Sequence, residues 1–205
     1  MKYKKMLIFI ASLLVLAVIS FQSPVKANEE IAREHASRGS ELYSAGSYDG
    51  AIEEFLLAID LGSEDYQVYY KLGQIYGLHK NNPLKARIYY EKYLILDPLG
   101  NLVEGNPYVE ASFYVGNVYF DEENYTKAAG YYKKATDMRS PDTETMCRAH
   151  YKLGLCYIKL NNLDLAEKAF ITTIQMCDSA ENHLKSSNII KACKEKSQKA
   201  LEKYF

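Results

Sequence analysis

The chain has 205 residues, 48% hydrophobic and 25% charged, a balance that excludes a disordered or collagen-like segment and suffices for a real core. Nineteen tyrosines stand against seven phenylalanines and no tryptophan, which favours surfaces that are part apolar and part hydrogen-bonding. The formal charge is −1 overall and more acidic in the mature chain predicted below, which argues against a general nucleic-acid binder, since that needs clustered lysine and arginine to displace counterions from phosphates.

At the N-terminus, basic Met1-Lys2-Tyr3-Lys4-Lys5 precedes an uncharged apolar run from Met6 to Phe21, the pattern of an export signal. Pro24 then breaks the helix, and small Val25 and Ala27 occupy the minus-three and minus-one places of a peptidase site. The sequence therefore predicts a signal peptide over residues 1–27, cleavage after Ala27, and a periplasmic or secreted product with no stable membrane insertion. An N-terminal membrane anchor is the alternative, although the run is shorter than the roughly 20 residues that span a bilayer. Removal of 1–27 leaves 21 basic against 26 acidic residues, a formal charge of −5, and residues Asn28 to Glu30 are expected to be poorly ordered.

Beyond that point the chain repeats itself, and periodicity of this length decides the fold before any local motif does. Gly39, Gly73, Gly116 and Gly154 are each followed three residues later by a large residue, Leu42, Tyr76, Tyr119 or Tyr157. An alanine recurs 12 or 13 residues after each glycine, at Ala51, Ala86, Ala128 and Ala166, with an aromatic four residues further on at Phe55, Tyr90, Tyr132 and Phe170. Four residues before each alanine stands a helix-capping type, Ser47, Asn82, Asn124 or Asn162. Pro83 after Asn82 marks the same boundary, because proline at the first helical position sacrifices no hydrogen bond. Each unit reads as helix, short turn, helix: the glycine and the alanine allow close approach, and the aromatic fills the space between the two helices.

Tyr-Lys-Leu-Gly-Gln-Ile-Tyr at 70–76, Tyr-Lys-Leu-Gly-Leu-Cys-Tyr at 151–157, the alanine–aromatic pairs and Leu96-Asp97-Pro98 resemble the tetratricopeptide repeat (TPR) family over roughly residues 32–180. The resemblance implies an all-α fold, a right-handed superhelical array of antiparallel helix hairpins, or TPR-like α-solenoid. The repeats are expected at about 32–65, 66–100, 109–142 and 147–180. Residues 181–205 are expected to form a C-terminal capping helix, with Ile190, Cys193, Ser197, Ala200, Leu201 and Tyr204 on one stripe and lysines elsewhere. Two departures stand out. Arg38 replaces the Leu72, Val115 and Leu153 of the other units, so the first helix is either partly frayed or an N-terminal cap. A small residue after the aromatic, Ala58 and Ala135, becomes Tyr93 and Thr173.

At about 100° per residue, positions three before, one after and four after each glycine share a second face, which in a stacked array lines the concave surface. There stand Tyr43, Tyr70, Gln74, Phe113, Asn117, Phe120 and Tyr151, a face rich in aromatics and short of charge. They form the candidate peptide-binding groove, with the rings as anchors and the two amides available to a peptide backbone. The expected function is a non-catalytic scaffold or adaptor for a protein or peptide partner, without nucleic acid. Two alternatives are a structural homo-oligomer joined through the terminal repeats and a cysteine-dependent or ligand-responsive module using Cys156 or Cys193.

The four cysteines fall in the last third without Cys-x-x-Cys spacing. They read equally as the disulfides Cys147–Cys177 and Cys156–Cys193 or as buried thiols. His35, His79, His150 and His183 are scattered, no phosphate loop or nucleophile elbow occurs, and no metal, cofactor or catalytic residue is assigned. The acidic run Asp121-Glu122-Glu123 reads as charge placed at a helix start.

Overall fold

A computed structural model describes residues 26–97, 107–138, 142–183 and 187–205, with side chains masked at 181–183. The predicted signal segment up to residue 25 lies outside the described residues. The chain divides into two units, residues 1–68 and 69–205.

In the first unit, helix α1 runs over 26–44 and α2 over Tyr48–Asp60. Residues 28–30, expected to be poorly ordered, belong to α1: no glycine or proline interrupts 26–38, and Glu29 pairs with Arg33 one turn on at 3.9 Å. Helix α1 is not frayed at Arg38. That side chain reaches α2, where its Nε donates to Glu54 Oε2 at 3.1 Å, and His35 Nδ1 meets the same oxygen at 2.6 Å. Ser47 stands where the sequence predicts a cap, but its side chain makes no capping bond.

Helix α3, Tyr66–Gln74, crosses into the second unit and ends in a π-helical turn, Ile75–His79. Then come α4 (Pro83–Leu96), α5 (Pro107–Asp121), α6 (Tyr125–Asp137), α7 (Thr143–Lys159), α8 (Leu163–His183) and α9 (Asn188–Tyr204). Asn82, Asn124 and Asn162 each accept from the amide three residues on, at 3.1, 3.2 and 3.5 Å, so the capping column holds in this unit. Ahead of them Asn81, Glu123 and Asn161 take the left-handed conformation that turns the chain. Glu123 is thus a turn residue, and Glu122 binds Arg87 through both oxygens at 2.7 and 2.6 Å. The acidic run does more than attend a helix start.

The glycine column is explained by contact. An added Cβ would fall 2.6, 2.6, 2.7 and 2.6 Å from a ring carbon at Gly39, Gly73, Gly116 and Gly154, against Phe55, Tyr90, Tyr132 and Phe170 respectively. Those rings are 0% exposed, as are Ala51, Ala86, Ala128 and Ala166, and burial of each ring contributes roughly 1.5–3 kcal/mol. Tyr93, at a small-residue position, is buried with its ring 5.2 Å from Tyr70 and its hydroxyl bonded to Asp97 at 3.3 Å. Thr173, fully buried, satisfies its hydroxyl by donating back to the Ala169 carbonyl at 2.9 Å.

Helix α9 docks on both α7 and α8. Ala200 joins Ala166 and Phe170 in a buried cluster, with Leu201 packed on it. Among the described residues no helix is long and apolar enough to cross a membrane.

Candidate peptide-binding face

The first helices of the hairpins carry the candidate residues, and in the second unit an offset rule connects one hairpin to the next. The residue six before a glycine reaches the residue three before the preceding glycine. Glu110, six before Gly116, accepts from the Tyr70 hydroxyl at 2.6 Å. Arg148, six before Gly154, lies over the Phe113 ring with its guanidinium 4.6 Å from the centroid.

A second offset links the residue two before a glycine to the residue four after the preceding one. The Tyr114 ring abuts Gly77 so closely that an added Cβ would meet it at 2.9 Å, and Lys152 Nζ lies 4.2 Å from the Phe120 centroid. The face expected to be short of charge therefore receives Glu110, Arg148 and Lys152 from the succeeding hairpins.

Each candidate can now be placed. Tyr43, in the first unit, is half-buried with its ring edge-on to Tyr48 at 5.9 Å. Tyr70 is half-buried, and desolvation, reinforced by the Glu110 carboxylate, pushes its phenol far above the usual range, which keeps it a neutral donor. Gln74 Nε2 donates to Tyr70 Oη at 3.0 Å, and Asn117 Oδ1 accepts from the Tyr132 hydroxyl at 2.8 Å. Both amides thus have one group committed inside the protein. Phe113 is only 6% exposed and serves mainly to seal the contact with Tyr132 and Arg148. Phe120 stands edge-on to Tyr125 at 5.4 Å, and Tyr151 tilts against Phe170 at 6.0 Å.

Phe113 and Tyr151 meet in a cleft of ≈ 370 Å³ whose other wall is α9, through Ile189 and Ala192. Its charged lining residues are Arg148, Lys152 and Lys196, all cationic. Sequence reasoning did not assign these three to the site; the available signals were that Arg148 occupies the repeat position of Glu110 and that lysines crowd the last helix, Lys196 among them.

Of the two cysteine pairs, Cys147 and Cys177 come together with sulfurs 3.2 Å apart. Cys193 does not face Cys156. It joins Cys147 and Cys177 in one buried cluster, while Cys156 is two and a half turns along α7 from Cys147. Burial pushes the Cys156 thiol up to about 12 and raises Cys193 as well, which starves both of the thiolate that a nucleophile requires. Among the described residues no group of three or more His, Cys, Asp or Glu could hold a metal ion.

Family models described as "TPR repeat" and "Tetratricopeptide repeat" match the chain, the first at residues 39–79 and the second at 66–98, 99–143 and 148–176. No curated protein sequence matches. Among solved structures, the chain is similar to the MamA protein, at 22% identity and a TM-score of 0.56 over 85% of this chain and 90% of that one. It is similar to YrrB, titled a TPR protein with an unusual peptide-binding site, at 22% identity and a TM-score of 0.57 over 89% and 87%. A MamA fragment from Desulfovibrio magneticus RS-1 aligns at 18% identity and a TM-score of 0.52 over 84% and 92%. These likenesses show the all-α, TPR-like solenoid fold.

Proposed function

From the premise that the chain belongs to the tetratricopeptide repeat family, whose repeats are generally non-catalytic interaction modules, we propose that it is a scaffold holding a protein or peptide segment on the α3, α5 and α7 face of its second unit. The observation that carries this reading is the cleft beside α9, where aromatic walls at Phe113 and Tyr151 adjoin the cations Arg148, Lys152 and Lys196. An aromatic floor rewards burial of an apolar anchor, and unbalanced positive charge rewards an acidic group next to it. The favoured guest is therefore a segment with an acidic residue beside an aliphatic or aromatic one. Tyr70, Gln74, Asn117 and Phe120 extend the face away from the cleft, and Tyr43 is the corresponding residue of the first unit. YrrB, a TPR protein with an unusual peptide-binding site, offers a precedent for peptide binding on this fold.

Export is part of the proposal. The basic start, the apolar run from Met6 to Phe21 and the small residues Val25 and Ala27 support cleavage after Ala27 and a periplasmic or secreted location. N-terminal sequencing of the processed protein is expected to begin at Asn28; a product starting at Met1 in the membrane fraction would establish the anchor instead.

Crosslinking capture from the native cell, with and without Lys152→Glu and Lys196→Glu, tests the binding face. Charge reversal of these two solvent-accessible cations is expected to reduce capture of an acidic partner by roughly tenfold or more. An unchanged set and yield of captured proteins would remove the cleft from the proposal.

A further inference from the structure

Three thiols from three helices converge beside the cleft, and one of them, Cys193, stands in its lining. Cys147 of α7, Cys177 of α8 and Cys193 of α9 share a buried cluster with Ala180 and Ile190. Packing accounts readily for one or two cysteines, which fill space as small apolar residues. It gives no reason for three sulfurs on separate helices to meet while Cys156, equally buried, stands apart.

The two bonds open to Cys177 differ in consequence. A bond to Cys147, whose sulfur is 3.2 Å away, ties α7 to α8, helices that already form one hairpin. A bond to Cys193 ties α9 to α8. Helix α9 is otherwise held by packing, by the Lys194–Asp178 ion pair, and by Ser187 donating to Glu144 at 3.0 Å. It also supplies the Ile189, Ala192 and Lys196 wall of the cleft, so its attachment matters to whatever the cleft holds.

We propose that Cys147, Cys177 and Cys193 form a three-thiol disulfide site with Cys177 as the shared partner, in which the Cys177–Cys193 bond fastens α9. The oxidant is a small-molecule disulfide. Two thiols of the protein give up two protons and two electrons, the S–S bond forms, and the oxidant is reduced to two thiols. From a Cys147–Cys177 bond the Cys193 thiolate attacks Cys177 Sγ, and Cys147 departs as the thiolate and takes up the proton that Cys193 lost. No further oxidant is consumed. Burial disfavours the Cys147 and Cys193 thiolates, so exchange proceeds through transient opening of α9.

The test is a disulfide map of the whole protein after treatment with oxidised glutathione and trapping with iodoacetamide in denaturant. Peptides joined through Cys147–Cys177 and Cys177–Cys193 are expected, with Cys156 alkylated. In Cys147→Ala the Cys177–Cys193 bond should form alone, and α9 amides should exchange about tenfold more slowly oxidised than reduced. In Cys193→Ser the α9 exchange rate should be insensitive to oxidant, which serves if the first variant does not fold. Alkylation of both Cys177 and Cys193 in folded Cys147→Ala, or a bond to Cys156 in the unmutated protein, would overturn the proposal. Neither readout needs a bound segment, so failure here leaves the scaffold reading standing, and the reverse.

Discussion

The first and third hairpins are built on the same seat and finished with different chemistry. In both, a glycine of the first helix lies under a fully buried ring of the second, Gly39 under Phe55 and Gly116 under Tyr132. The flanking position just before the ring is Glu54 in one and Tyr131 in the other. Glu54 closes its own hairpin, taking His35 and Arg38 from α1. Tyr131 instead stacks on Tyr119 at 5.6 Å, and both hydroxyls donate to Glu91 Oε1 of the preceding hairpin, at 3.0 and 2.8 Å. The seat is dictated by sterics and is the same everywhere; the edge is free to bond within a hairpin or between hairpins.

Breaking the seat should have the largest effect, and the same effect in both hairpins. Gly116→Leu and Gly39→Leu would each drive a side chain into a ring with no room to yield, and we expect losses of about 3 kcal/mol or more in denaturant titrations. A variant with unchanged midpoint would refute the steric account of the glycine column. Next in size is Tyr131→Phe, which removes one donor from Glu91. Chemical denaturation should show a loss of about 1.5–3 kcal/mol, as for hydrogen bonds to charged groups, while Gly116→Leu in the same assay costs more.

Gly130→Ala sharpens the contrast between glycines with a seat and glycines without one. Nothing lies within 4 Å of an added Cβ at Gly130, in the interior of α6. A gain of about 0.5–1 kcal/mol is expected from helix propensity alone, seen as a raised Tm; a loss would mean an unseen contact.

The smallest effect at neutral pH is Glu54→Gln, and its signature is the pH slope. The bond from His35 holds the Glu54 carboxyl below its ordinary 4.5, with Arg38 adding to it. The folded state therefore binds a proton less readily than the unfolded one, so the contribution is present above about 4.5 and disappears as pH falls through the lowered folded value. Denaturation midpoints of Glu54→Gln should decline less steeply in acid than those of the unmodified protein; equal slopes would deny Glu54 this role.

The hairpins were legible in the sequence because their determinants recur at fixed spacing, and a glycine that must sit under a ring leaves a mark in every copy. The candidate face was only half legible. Tyr70, Phe113 and Tyr151 could be assigned to one side of their helices by angle, but the groups that cover them belong to the next hairpin. Nothing local to Phe113 announces Arg148, 35 positions away. The placement of Cys193 beside Cys177 rather than Cys156 depends on how α9 docks, a choice made by Ile190, Ser197 and Ala200 together. His35 and Glu54 looked unrelated for a similar reason, since their contact crosses a turn.

The second repeat carries 13 residues from glycine to alanine where the others carry 12, and the extra one is absorbed by the π-helical turn at Ile75–His79. The hydrogen bond that closes the turn shows this. Asn124 and Asn162 reach back to the carbonyls of Tyr119 and Tyr157, five residues earlier, and Asn82 reaches Tyr76, six earlier. The surplus residue widens a helix end, where Leu78 is 62% exposed, and Asn82 still caps and Tyr90 still covers Gly73. One residue more or less at this spot is thus a local event, confined to the width of a helix end, and the helices that follow keep their register.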